Sequence, residues 1–146
     1  MTDQSNSYRD EKITILIVED HNALRSTLSD WLQSIFNACT FLVSGSGEEA
    51  LTMAATYRPN IVLMDIQLPR MNGIETIRRI KDICPETKAV ILSVYNYPAY
   101  RQEAAAAGVC TYINKHNMHM ELIPTLIDLL PARFVAELKL DLLNSQ

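Results

Sequence analysis

Five short apolar runs, each followed by a stretch with helical spacing, leave this chain few ways to fold. The runs are "ITILIV" (13–18), "TFLV" (40–43), "IVLMD" (61–65), "AVILSV" (89–94) and "VCTYIN" (109–114). After the first, Leu24, Leu28, Trp31, Leu32, Ile35 and Phe36 recur at helical spacing. "EEALTMAATY" (48–57) predicts a second helix, broken by Arg58-Pro59-Asn60. Ile74, Ile77, Ile80 and Cys84 predict a third, stopped by Pro85. A fourth runs from Pro98, suited to a first helical position, to Gly108 as its C′ residue. A leucine- and isoleucine-rich helix follows the fifth run. Strands apolar on both faces and alternating with helices require parallel βαβ units with right-handed crossovers. The expected fold is α/β, a doubly wound five-stranded parallel sheet in a three-layer sandwich.

The 146 residues suffice for one domain with its own core. With 48% apolar and 21% charged residues the composition is that of a globular chain and argues against disorder. A formal net charge of −4 gives no general attraction to nucleic acid or anionic lipid. No apolar run approaches the roughly 18–20 residues of a membrane span. Residues 1–11 are polar, lack the hydrophobic segment of a signal peptide and read as a flexible tail, so a cytoplasmic protein is expected. Cys39, Cys84 and Cys110 show neither CxxC nor metal spacing and are expected to be buried free thiols. Pro124 predicts that the last helix of the domain starts late or kinks, and Pro131 predicts a break. Beyond it, residues 131–146 read as a helical extension with Phe134, Leu138 and Leu142 on one stripe and Val135 beside it. That stripe either packs back on its own domain or meets a partner or a second copy.

In an open α/β sheet, ligands bind beyond the carboxyl ends of the strands. There the sequence places Glu19 and Asp20 after the first strand, Asp65 at the third, Ser93 at the fourth and Lys115 after the fifth. The second ends in "SGSG", without charge. Any one of these has an ordinary explanation; Asp20 or Asn22, for example, could cap the first helix. Together, three carboxylates on one edge repel unless a cation compensates them. Oxygen ligands suit Mg²⁺, which takes one or two carboxylates and bridges to a phosphoryl group. A carboxylate there can attack phosphorus, with a hydroxyl and an ammonium holding the phosphoryl oxygens.

"LIVEDHNALR", "IVLMDIQLPRMNGIE", "VILSVY" and "TYINK" resemble the signature segments of the receiver domain of two-component response regulators. The resemblance spans residues 12–130 and implies a flavodoxin-like sandwich with strand order 2-1-3-4-5. It implies that Asp65 is the phosphoacceptor and that Asp20 and Asp65 ligate Mg²⁺ with the backbone carbonyl of Gln67. Glu19 then stands behind them, Lys115 pairs with the phosphoryl group, Ser93 is the switch hydroxyl and Tyr112 the switch aromatic. It also implies a sensor histidine kinase or histidine phosphotransfer protein as donor. The chain would then be no enzyme beyond catalysing its own phosphorylation and dephosphorylation, and its output face would be helix 4, strand 5 and helix 5. Asn72-Gly73 fits a tight turn in which glycine permits φ > 0. Val94 stands where the family usually has a small residue, and Gln67 and Tyr95 occupy positions that tune dephosphorylation. Bulk at Val94 and shielding by Tyr95 imply a long-lived phosphorylated form.

Other readings compete. Gly45-x-Gly47-x-x-Ala50 imitates a dinucleotide fingerprint, but Glu48 and Glu49 stand where a pyrophosphate would sit. Ser46 and Glu49 read more simply as a capping box. A Mg²⁺-dependent phosphohydrolase would need a second Asp where Gln67 stands. The stretch "YRQEAAAAGVCTYINK" is most similar to receivers that precede a helix-turn-helix DNA-binding domain. Residues 131–146 are too few and too neutral to bind DNA themselves. A stand-alone receiver and a receiver cut from a DNA-binding transcriptional regulator are both consistent with this.

Overall fold

The computed structural model describes residues 12–136. The expected N-terminal tail and positions Leu138 and Leu142 lie outside the described residues. Five strands, β1 (Thr14–Val18), β2 (Thr40–Ser44), β3 (Ile61–Asp65), β4 (Lys88–Ser93) and β5 (Thr111–Asn114), form one parallel sheet in the order β2-β1-β3-β4-β5. Five helices connect or follow them: α1 (Asn22–Ile35), α2 (Gly47–Tyr57), α3 (Gly73–Ile83), α4 (Pro98–Ala106) and α5 (Met118–Leu129). Among the described residues, no helix is long and apolar enough to cross a membrane.

Alternation along the strands divides the core in two. Ile15, Ile17, Leu63, Val90 and Leu92 pack with Leu28 and Leu32 of α1 and Leu122 and Leu126 of α5. Leu16, Val18, Val62, Met64 and Ile91 pack with Ala50 and Ala54 of α2, Ile74, Ile77 and Ile80 of α3, and Ala104 of α4. The edge strands differ from the expectation of burial on both faces: Thr40 and Val43 of β2 are exposed. An edge strand lacks one neighbour, so its outer side chains meet solvent.

Several local expectations are corrected. Neither Asp20 nor Asn22 caps α1; His21 does, its Nδ1 accepting from the Leu24 N–H at 3.2 Å. The capping box on α2 is half formed, because Ser46 Oγ accepts from the Glu49 N–H while the Ser46 N–H donates to Ser44 Oγ. Cys39 and Cys84 are buried, and burial pushes the Cys39 thiol up to about 11, but Cys110 is exposed. Helix α5 begins at Met118, behind a 3₁₀ turn at Lys115–Asn117, and carries Pro124 inside it. Gly108 has φ 90 just past the C-cap Ala107, as expected. Beyond Pro131, Phe134 and Val135 pack against the α1/α5 side of the core, so this part of the stripe covers its own domain.

The largest correction concerns Asn72-Gly73. Asn72 is the N-cap of α3, its side chain accepting from the Glu75 N–H at 2.9 Å, and Gly73 does not adopt positive φ. Glycine is needed there because a Cβ would run into the carbonyl oxygen of Asp65. Gly73→Ala is therefore expected to push β3 and α3 apart and cost about 1–3 kcal/mol, as overpacking does. Urea unfolding of the two proteins measures this; equal midpoints would show that the backbone yields without cost.

Candidate functional site

Strand register brings the site together. Val18 pairs with both Ser44 and Met64, Asp65 with Leu92, and Ser93 with Asn114, so the strands end nearly level and their next residues meet on one edge. Asp65 is only 6% exposed at the end of β3 and Glu19 only 3% exposed beyond β1, whereas Asp20 is exposed. Carboxylate oxygens of Glu19, Asp20 and Asp65 all lie within 4.8 Å of one another. Lys115 reaches in from the 3₁₀ turn after β5, its Nζ donating to Glu19 Oε1 at 2.9 Å and Asp65 Oδ2 at 3.1 Å. That turn is fixed by Asn114, whose Oδ1 accepts from the His116 N–H at 2.9 Å. The sequence pattern does not single out Asn114, although an Asn at the end of a strand can bond the backbone two residues on in an Asx turn.

The two oxygens of Asp65 are held differently. Oδ2 accepts from Lys115, and Oδ1 accepts from the backbone N–H of Gln67 at 3.1 Å. The Gln67 side chain is exposed, and no carboxylate stands two residues after Asp65 for acid/base work. Ser93 is fully buried, and its Oγ accepts from the Tyr95 N–H at 3.0 Å. The carbonyl of the same Tyr95 accepts from the Tyr112 hydroxyl at 2.5 Å. One residue of the β4–α4 loop thus contacts both expected switch side chains through its backbone. The Tyr95 ring stacks on Tyr97 with centroids 5.7 Å apart and meets Tyr100 edge-on, while Val94 is 48% exposed. Arg101 lies 4.6 Å over the ring of Tyr112.

The electrostatics are unbalanced. Three carboxylates face one ammonium, and Glu19 Oε2 is buried with no hydrogen-bond partner among the described residues. Burial, and then the hydrogen bond and charge of Asp65, push the Glu19 carboxyl up to about 7 despite the opposing pull of Lys115. Burial works to depress the Lys115 ammonium, yet its bonds and charge interactions with Glu19 and Asp65 outweigh this and leave its pKa raised. The arrangement offers a nucleophilic carboxylate, an oxygen-rich cation site and a buried hydroxyl on one edge.

The dinucleotide-like stretch after β2 has a packing explanation instead. A Cβ on Gly47 would strike Thr76 Oγ1 of α3, so glycine lets the two helices approach. Glu48, in the first turn of α2, pairs with Arg70 at 3.4 Å.

A family model described as the response regulator receiver domain matches residues 15–127. The transcriptional activator protein ExaE of Pseudomonas putida is 34% identical over 101 residues, covering 69% of this chain and 47% of its own length. The chain thus spans about half the length of such curated relatives. A LuxR-family DNA-binding response regulator from Staphylococcus aureus superposes with a TM-score of 0.73 at 26% identity, over 80% of this chain and 98% of that one. The chemotaxis protein CheY4 of Vibrio cholerae, at 24% identity, shares the fold with a TM-score of 0.74 over 82% of this chain and 100% of its own.

Proposed function

The chain belongs to the response regulator receiver domain family, and from that membership we propose that it receives a phosphoryl group on Asp65 and passes the signal through α4, β5 and α5. The observation that carries this reading is Asp65 itself, buried beside Glu19 and bonded to Lys115 at 3.1 Å. The donor is a phosphohistidine of a sensor kinase or phosphotransfer protein. A lone pair of Asp65 attacks phosphorus, the P–N bond breaks, and the imidazole keeps the electron pair. Lys115 turns from Asp65 toward a phosphoryl oxygen. The Ser93 hydroxyl donates to another, giving up the Tyr95 N–H, and Tyr112 follows by leaving the Tyr95 carbonyl and packing inward.

The residues fit a Mg²⁺ ion, because a buried unpartnered carboxylate oxygen beside two further carboxylates calls for a hard cation. Asp20, Asp65 and the Gln67 carbonyl would hold it, with Glu19 behind them. When bound, Mg²⁺ neutralises charge on the phosphoryl oxygens.

The raised Glu19 carboxyl gives a pH test. An unfolded chain ionises it near 4.5, the folded protein near 7. Between these values the folded state holds a proton that the unfolded state has lost, so Glu19's contribution to stability falls as pH rises. Without divalent cation, side-chain NMR of Glu19 is expected to show a midpoint near 7 that drops when Mg²⁺ is added. The rise in melting temperature on adding Mg²⁺ should be largest above pH 7 and shrink as pH falls below it. A midpoint indifferent to Mg²⁺ would separate Glu19 from the cation site.

By family resemblance Val94 and Tyr95 hold positions that restrict access to the acceptor carboxylate, so the phosphorylated form is expected to be long-lived. Val94→Ala should shorten its lifetime, followed by intact mass after removal of donor; decay of the wild type within seconds counts against the idea.

A second reading is favoured by the relatives: one is named a transcriptional activator and another a DNA-binding response regulator, and this chain matches about half of the former's length. In it, the receiver governs a DNA-binding output, and phosphorylation changes pairing of two copies through α4, β5 and α5. Light scattering before and after phosphorylation distinguishes a receiver that dimerises from one that engages a different partner.

A further inference from the structure

Arg25 lies outside the residues given a role above, yet it is bound to the acidic loop from behind. Its Nη1 donates to the backbone carbonyl of Glu19 at 2.8 Å, and its Nη2 to Asn22 Oδ1 at 2.6 Å. The N–H of Glu19 meanwhile donates to the Ser44 carbonyl at 3.0 Å. Both polar groups of the Glu19 backbone are therefore fixed, one to the last residue of β2 and the other to the guanidinium, while its side chain is fixed to Lys115. The peptide between Glu19 and Asp20 cannot turn without breaking the Arg25 bond, and Asp20 hangs directly from that peptide. Arg25 also fills the space beside Gly45, where an added Cβ would come within 3.1 Å of Nη1.

We propose that Arg25 is a positioning residue for the cation site: its fork locks the Glu19–Asp20 peptide so that Asp20 faces Asp65, and Gly45 is glycine to let the fork pass. The inference rests on the reading of Asp20 and Asp65 as Mg²⁺ ligands. A planar guanidinium meets two acceptors at once, which a lysine ammonium on a flexible stem does not do with the same fixity. Groups that orient ligands in this way typically change metal affinity by about 10- to 100-fold.

The test is calorimetric titration of the whole chain with Mg²⁺, with acetyl phosphate labelling of Asp65 and the melting temperature measured alongside. Arg25→Ala is expected to weaken Mg²⁺ binding about tenfold, Arg25→Lys less, and Gly45→Ala less again. Labelling of Arg25→Ala should be slow at low Mg²⁺ and return to the wild-type rate at saturating Mg²⁺. In the Arg25→Ala background, Gly45→Ala should have no further effect on affinity, since the two changes act on the same space. A purely structural Arg25 would lower the melting temperature and leave Mg²⁺ affinity at the wild-type value, which overturns the proposal. So would additive effects of the two substitutions. Should Arg25→Ala not fold, Arg25→Lys and Gly45→Ala decide the matter by the same titration. A wild-type chain that binds no Mg²⁺ overturns the Mg²⁺ reading as well as this one, whereas normal wild-type binding with unchanged variants overturns this one alone.

Discussion

Asp65→Asn is expected to abolish phosphorylation completely. An amide oxygen is too weak a nucleophile toward phosphorus, and neither neighbouring carboxylate replaces Asp65. Glu19 is turned to Lys115, and Asp20 lies out on the exposed side of the cluster. The fold should survive, because the substitution is nearly isosteric and Asn can still accept from the Gln67 N–H. It also removes a neighbour whose hydrogen bond and charge hold the Glu19 carboxyl up, so that carboxyl should titrate lower than in the wild type. Intact mass after incubation with acetyl phosphate and Mg²⁺ reads the first effect, and the circular dichroism melt reads the fold. Stoichiometric uptake of phosphate by the variant would move the acceptor elsewhere.

Lys115→Ala is the second large effect. The ammonium is the cation bonded to both Glu19 and Asp65, whose side chains are 4% and 8% exposed. Without it two carboxylates remain nearly buried side by side, and removing one partner of such a group typically costs about 3 kcal/mol. The Lys115 pKa is raised above 10.5, so its stabilisation is complete below the unfolded value and is lost only as pH climbs through the folded one. From above about pH 7 up to 10.5 the whole effect is therefore present. It should shrink where Glu19 takes up a proton, below about 7, and shrink again when Mg²⁺ is added. Denaturant unfolding at neutral and acid pH, with and without Mg²⁺, measures each part. On the proposed reading, labelling of Asp65 should slow as well, since Lys115 is the cation bonded to Asp65 among the described residues. Equal stability at both pH values would mean that Lys115 offsets no buried charge.

Much of this is legible in the sequence because the governing patterns are local. Apolar runs such as "IVLMD" can only be buried on both faces, and every residue of β3 is buried. The position of Asp65 at a strand end, together with the strand-end rule for open sheets, is enough to place Glu19, Asp20, Ser93 and Lys115 on the same edge. Gly73 and Arg25 are not legible in the same way. Gly73 sits in an Asn-Gly pair, which reads as a turn with φ > 0, and the actual demand on it is a backbone carbonyl arriving from another element. Arg25 stands at the edge of the apolar stripe of its helix, seven residues before Leu32, and by pattern alone is only a polar interruption of that stripe. Its acceptor, the Glu19 carbonyl, is six residues back, and its packing partner Gly45 lies in a different loop.

The order of residues along the chain is thus sufficient for the class of fold, the membership of the sheet and the edge on which the carboxylates and Lys115 gather. Periodicity and strand-end position express the hydrophobic effect and chain connectivity, which act through neighbours in sequence. The pairing of donors with acceptors comes from the folded arrangement alone: Lys115 shared between Glu19 and Asp65, the orphaned oxygen of Glu19, Ser93 and Tyr112 both tied to the backbone of Tyr95, and the Arg25 fork. Hydrogen bonds and the burial of charge depend on atoms of segments far apart in the chain meeting to within a few tenths of an ångström, and no local pattern encodes that.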